Sequence, residues 1–160
     1  MSKISVLFVC LGNICRSPTA HAVFERKAQE RGLASVIDVD SAGTGDWHLG
    51  APPDRRATAA AAERGYDLSA LRARQVTQAD FNQFDYMLAM DSSNLSDLSK
   101  LAPQYSRTNL SLLLDYAPDS PVREVPDPYY GGNDGFARVL DMVEDACDSL
   151  LDHIETQIQE

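Results

Sequence analysis

With 160 residues, 44% of them apolar and 24% charged, the chain has the size and composition of one folded domain with a single well-filled core. Its formal net charge of −10 repels nucleic acid and anionic membranes at long range, so neither is expected as a partner. A site for a phosphorylated ligand must then be a local cationic pocket.

The first apolar run, Ile4 to Val9, follows one basic residue and is soon broken by Gly12, Asn13 and Arg16. It reads as a strand buried on both faces, not as a secretion signal or a membrane span. A loop from Cys10 to Arg16 follows. Ser17 then stands as a helix N-cap with Pro18 at the first helical position, and the helix runs to about Arg31, where Gly32 ends it. Val36 to Ser41 is a second strand, and Ala42 to Pro53 is a loop that holds the only tryptophan, Trp47. Asp54 to Arg64 is Ala-rich and helical, closed by Gly65. Gln78 to Asn82 forms a short helix, Asp85 to Met90 a third strand, and Asp91 or Ser92 caps a helix through Leu101. Asn109 to Leu114 is a fourth strand. A Pro-rich loop, Asp115 to Asp134, is long enough to be functional. In the last helix, Gly135 to Ile158, Val139, Val143, Ala146, Leu150 and Ile154 recur at helical spacing.

Four strands alternating with helices predict an α/β fold: a four-stranded parallel twisted sheet with helices on both faces, in a single domain over residues 1–160. Ligands in such folds sit beyond the carboxyl ends of the strands, near the switch in strand order. Cys10, the Trp47 loop and the Asp127 loop follow the first, second and fourth strands, so all three are expected at that edge.

The strongest chemical signal is Cys10-Leu11-Gly12-Asn13-Ile14-Cys15-Arg16-Ser17, set between a strand and a helix. A loop of this length curls round a tetrahedral oxyanion with its backbone N–H groups pointing inward. Gly12 and Asn13 tolerate the left-handed conformations that the curl requires. The following helix aims its positive end at the same point, and Arg16 offers a planar fork for two phosphate oxygens. These groups stabilise negative charge on the Cys10 sulfur, and Ser17 is near enough to donate a hydroxyl hydrogen bond to it.

The chain resembles the low-molecular-weight protein tyrosine phosphatases nearly end to end. The phosphate loop carries the resemblance, together with Val39 to Trp47, Ala73-Arg74-Gln75-Val76-Thr77, Phe84-Asp85-Tyr86 through Asp91, and Asp127-Pro128-Tyr129-Tyr130. It implies phosphotyrosine-containing proteins as partners, phosphate or other oxyanions in the site, and no cofactor or metal. It further implies that Cys10 attacks phosphorus, Arg16 binds the equatorial oxygens, and Asp127 acts as general acid and then base. Trp47, Tyr129 and Tyr130 become walls of an aromatic slot, although the two tyrosines also suit simple packing of the Pro-rich loop. Leu11 and Ile14 add apolar contacts. Asn13, Ser17 and Ser41 match a hydrogen-bond network that shapes the loop. The family often carries a His in that network shortly before Ala73, where this chain has Leu71.

Cys15 has two readings. It is a resolving thiol that captures an oxidised Cys10, as in several family members, or a small apolar side chain packed beneath the loop. Cys147 lies on the apolar stripe of the last helix and reads as core. An odd number of cysteines with no export signal points to free thiols and the cytoplasm. His21, His48 and His153 do not cluster with the cysteines in a metal-binding pattern. An arsenate reductase of the same fold needs relay thiols, and residues 80–108 contain no cysteine. A phosphocysteine carrier, or an idle phosphotyrosine-binding module, would not need Asp127.

Overall fold

The structure, a computed structural model, describes residues 3–128 and 134–158. Strands β1 (Ile4–Cys10), β2 (Ile37–Gly43), β3 (Tyr86–Ala89) and β4 (Asn109–Leu112) form one all-parallel sheet in the order β2-β1-β3-β4. Among the described residues five α-helices accompany it: α1 (Arg16–Glu30), α2 (Arg55–Glu63), α3 (Asp80–Gln83), α4 (Ser92–Leu101) and α5 (Asp134–Ile158). The chain leaves β1 for β2 on one side and returns past it to β3 on the other. The switch in strand order therefore falls between β1 and β3, at the carboxyl end where Cys10 and Met90 emerge.

Strand β1 is central and pairs on both sides, which is why its apolar run is continuous. Val6 and Phe8 face the cluster built with α1, α2 and α5, while Leu7 and Val9 face the cluster of Phe81 and Leu98 from α3 and α4. The predicted stripe of α5 is buried in the first cluster, Cys147 with it. Each such fully buried aliphatic side chain contributes about 1.5–3 kcal/mol. Asp54 and Asp91 cap α2 and α4 by accepting backbone N–H bonds from Arg56 and Ala57, and from Asn94. Gly32 and Gly65 follow α1 and α2 at φ 74° and 87°, the left-handed turn that ends a helix.

Several expected boundaries move, three of them near the site or the sheet edge. Helix α1 begins at Arg16, not at Pro18, and Cys15 precedes it. Pro18 still lies in the first turn, where a missing N–H costs no intrahelical bond. Ser17 is thus inside the helix, and its hydroxyl is used elsewhere. Strand β2 runs on to Gly43, because Gly43 pairs with Cys10 on one side and exchanges backbone bonds with Arg74 and Val76 on the other. Strand β4 stops at Leu112. The Asp115 carboxylate accepts from the Leu112 N–H and draws Leu113–Tyr116 into a 3-10 turn that buries Leu113 and Leu114. No described helix is long and apolar enough to cross a membrane.

Candidate active site

Beyond β1 the chain curls, and the direction of the curl is read from its carbonyls. The Cys10 and Leu11 carbonyls accept from the N–H groups of Thr44 and Gly45 at 2.9 Å each, that of Ile14 from Asp54 at 2.8 Å, and that of Cys15 from Thr19. A planar trans peptide points its N–H opposite to its C=O. The N–H groups of Leu11, Gly12, Cys15 and Arg16 are therefore directed to the inside of the loop. Bonds to the β2–α2 segment and to the first turn of α1 thus create an inward ring of donors.

The Asn13 N–H lies 3.3 Å from the Cys10 sulfur, and the Ser17 hydroxyl lies 3.0 Å from it. Asn13 alone among the described non-glycine residues has a positive φ, 58°. Its side chain holds that conformation: Nδ2 donates to Ser17 Oγ at 2.8 Å, and Oδ1 accepts from the Arg74 N–H at 3.0 Å. Gly12, expected to share the left-handed conformation, does not have it. Its lack of a side chain makes room, because a Cβ there would lie 2.9 Å from the His48 ring.

Arg74 is in turn fixed by both oxygens of buried Asp80, at 3.1 Å each, and by Asp40 at 3.1 Å. This clamp supplies the bond to Asn13 in a chain that has Leu71 where the family often has His. Leu71 packs against the core. Ser41, expected in the network of Asn13 and Ser17, bonds instead to His21 Nδ1 at 3.1 Å. Ala42, next to it, provides the carbonyl that accepts from Ser17 at 3.3 Å.

Arg16 is nearly inaccessible to solvent. Its Nη1 donates to Asp91 Oδ2 at 2.6 Å and to the Val125 carbonyl at 3.0 Å, while Nη2 lies 3.7 Å from Asp127. Burial opposes its charge, yet the Cys10 sulfur, Asp91 and Asp127 outweigh burial and raise its pKa. Val125 also donates to the Met90 carbonyl at 2.8 Å, so the Pro-rich loop is pinned to the end of β3 two residues before Asp127. Cys15, within the loop, is buried. Burial, then the charges of Asp54, Cys10 and Asp127, push its thiol well up. Burial does the same to Cys147.

These elements enclose a cavity of about 380 Å³ lined by Cys10, Leu11, Gly12, Ile14, Cys15, Arg16, Trp47, His48 and Asp127. Cys10, Leu11, Ile14, Arg16, Trp47 and Asp127 thus meet at one place, as the strand order predicts. Tyr129 and Tyr130 lie outside the described residues. Asp91, His48 and Arg74 were not legible as site residues. Asp91 reads in the sequence as a helix cap and as the end of a stretch that carries the resemblance, although its place two residues after β3, at the switch in strand order, is a signal that could have marked it.

The family model for low molecular weight phosphotyrosine protein phosphatase matches residues 5–160. The low molecular weight protein-tyrosine-phosphatase YfkJ of Bacillus subtilis is 44% identical over 156 residues, covering 98% of this chain and 99% of that protein. The low molecular weight phosphotyrosine protein phosphatase of Schizosaccharomyces pombe is 45% identical over 153 residues, covering 95% and 97%. Among solved structures, a protein tyrosine phosphatase of Entamoeba histolytica with Hepes in its active site superposes with a TM-score of 0.93 at 41% identity, covering 97% of this chain and 99% of that one. The loop between strand and helix, the parallel sheet that carries it and these full-length likenesses lead to one assignment: the chain belongs to the low molecular weight phosphotyrosine protein phosphatase family, whose members are phosphoric monoester hydrolases.

Proposed function

We propose that the protein hydrolyses phosphotyrosine in proteins, and small aryl phosphates, through a phosphocysteine on Cys10. The observation that carries this reading is the convergence of the Cys10 sulfur, the inward amides, Arg16 and Asp127 on one cavity. The sulfur attacks phosphorus and the P–O bond to the phenol breaks, while Asp127 transfers its proton to the departing oxygen. Asp127, now a carboxylate, takes a proton from the water that attacks the phosphocysteine. The S–P bond then breaks, releasing inorganic phosphate and restoring the thiolate. The loop amides and the Nε–Nη2 edge of the Arg16 fork stabilise the equatorial oxygens in both steps. Ser17 and Asn13 stabilise the sulfur when it leaves.

The apolar side chains of Leu11, Ile14 and Trp47 along the cavity favour a phenyl ring, and a phosphoserine side chain is too short to bring its phosphorus to the floor of such a slot. The Hepes in the Entamoeba histolytica relative carries a sulfonate, a tetrahedral oxyanion of the kind this loop suits. A nucleophilic thiol and three free cysteines suit a reducing compartment such as the cytoplasm. Steady turnover of para-nitrophenyl phosphate, lost in Cys10→Ser with vanadate or phosphate binding retained, is the test. Turnover near the wild-type rate in that variant would overturn the mechanism. A single stoichiometric phosphorylation without turnover would point to a carrier. Capture of phosphotyrosine proteins by Cys10→Ser or Asp127→Ala would identify the substrate.

A further inference from the structure

The segment after β2 contains a glycine that the backbone does not require. Gly45 lies outside the positive-φ region, so its φ does not call for glycine. What excludes a side chain is Trp47. A Cβ at position 45 would overlap the six-membered ring of the indole, with Cη2 only 2.9 Å away. The indole lies directly across the bare Cα. It has few other restraints, being 69% exposed. The same glycine is bonded to the phosphate loop, since its N–H donates to the Leu11 carbonyl at 2.9 Å. The support under the ring is thereby tied to the peptide that directs the Gly12 N–H into the cavity.

We propose that Gly45 is a positioning residue for substrate choice: its bare Cα seats the Trp47 ring at a fixed place above the phosphate loop, and that placement selects for an aromatic ring on the substrate. The proposal rests on the reading of the protein as an aryl-phosphate hydrolase. A methyl group at position 45 displaces the ring but leaves the phosphate-binding groups in place. The loss then falls on substrates that use the wall. His48 over Gly12 repeats the device on the neighbouring stretch, where a Cβ would lie 2.9 Å from the imidazole. The two rings that line the cavity from this segment therefore both stand over glycine.

The chain has one tryptophan, so Trp47 reports its own position by fluorescence. The experiment compares wild type, Gly45→Ala, Trp47→Ala and the double variant on phenyl phosphate and on acetyl phosphate, which has no ring. In Gly45→Ala the ratio of kcat/KM for phenyl phosphate to that for acetyl phosphate should fall about tenfold, the order of one well-placed aromatic contact, mainly through KM. The tryptophan emission should shift, and thermal unfolding should stay near that of the wild type, because alanine suits the backbone. In the Trp47→Ala background the same substitution should change the ratio no further. An unchanged ratio in Gly45→Ala, an unchanged emission spectrum, or an equal effect in both backgrounds would each overturn the seat. A wild type that fails to hydrolyse phenyl phosphate would sink the functional reading instead, and the emission spectrum would still decide whether Gly45 places the ring.

Discussion

The floor of the cavity and its rim are built by different means. Cys10, Asn13, Arg16 and Ser17 are at most 3% exposed, and each is held by more than one hydrogen bond or by the sheet itself. Leu11 and Trp47 on the rim are 40% and 69% exposed, and the Asp127 side chain is 32% exposed. The floor sits where secondary structure ends in a fixed register, with β1 on one side and α1 on the other. Trp47 and Asp127 on the rim are carried by two loops outside the sheet, tied back by backbone bonds such as Gly45 to Leu11 and Val125 to Met90. On the proposed mechanism the difference teaches that charge stabilisation is pre-organised, and so costs little at the moment of reaction, while recognition of the leaving group is left to groups that solvent still reaches. Damage to the floor should abolish chemistry on every substrate, whereas damage to the rim should discriminate among substrates.

The comparison is tested most severely at Arg16. Arg16→Lys keeps the charge but loses the fork, and turnover should fall by about 10³-fold or more on all phosphate esters, a loss of the order seen when a phosphate-stabilising arginine is removed. A drop confined to aryl substrates would erase the distinction between floor and rim. Asp127→Asn should cost about 10²–10⁴-fold on phenyl phosphate, as expected for a positioned acid. It should cost much less on para-nitrophenyl phosphate, whose phenolate departs with little protonation. Equal losses on both would assign Asp127 to shaping the cavity.

Asp91→Asn sharpens the same contrast. Asparagine also caps helices, so the bond to the Asn94 N–H has a replacement, while the charge beside Arg16 is removed. Activity should fall about 10–100-fold through misplacement of the guanidinium, with thermal stability reduced far less than in Asp91→Ala. Identical kinetics in wild type and Asp91→Asn would show that Val125 and the loop suffice to hold Arg16.

Peroxide treatment probes the two sulfurs of the loop. If Cys15 resolves an oxidised Cys10, thiol reductant should restore wild type more fully than Cys15→Ser. The raised thiol of Cys15 should make closure of the disulfide faster as pH rises, because the attacking species is the thiolate. Mass spectrometry after timed quenching at two pH values would show this. Equal recovery of the two proteins would leave Cys15 as packing.

The smallest effect is expected at His21, behind β2. Burial lowers its pKa below the ordinary 6.5, against the opposing pull of Glu25 and Asp40. The unfolded chain therefore binds more protons than the native protein between 6.5 and the lowered value, and stability must fall as pH drops through that window. His21→Gln, which keeps a hydrogen-bonding side chain near Ser41, should flatten the dependence of the melting temperature on pH there. An unaltered slope would assign the acid sensitivity to other groups.

Much of this organisation was legible in the chain itself. The continuous apolar run of β1, the cap at the start of α4, the glycines after α1 and α2, and the α5 stripe are local patterns, and local patterns fix local structure. The spacing from Cys10 to Ser17 likewise carries its own chemistry, because a curl between a strand and a helix leaves the backbone few alternatives. Tertiary structure decided what depends on contacts distant in sequence. Ser17 looks like a cap until the sheet brings Asn13, Ala42 and the Cys10 sulfur around its hydroxyl. Asp91 looks only like a cap until β3 is laid beside β1 and its second oxygen reaches Arg16, 75 residues away in sequence. Gly12 and Gly45 look like flexible turn residues until the β2–α2 segment sets a ring over each. Side-chain identity specifies what a residue can bond to, but only the order of the strands determines which of its partners lies within reach.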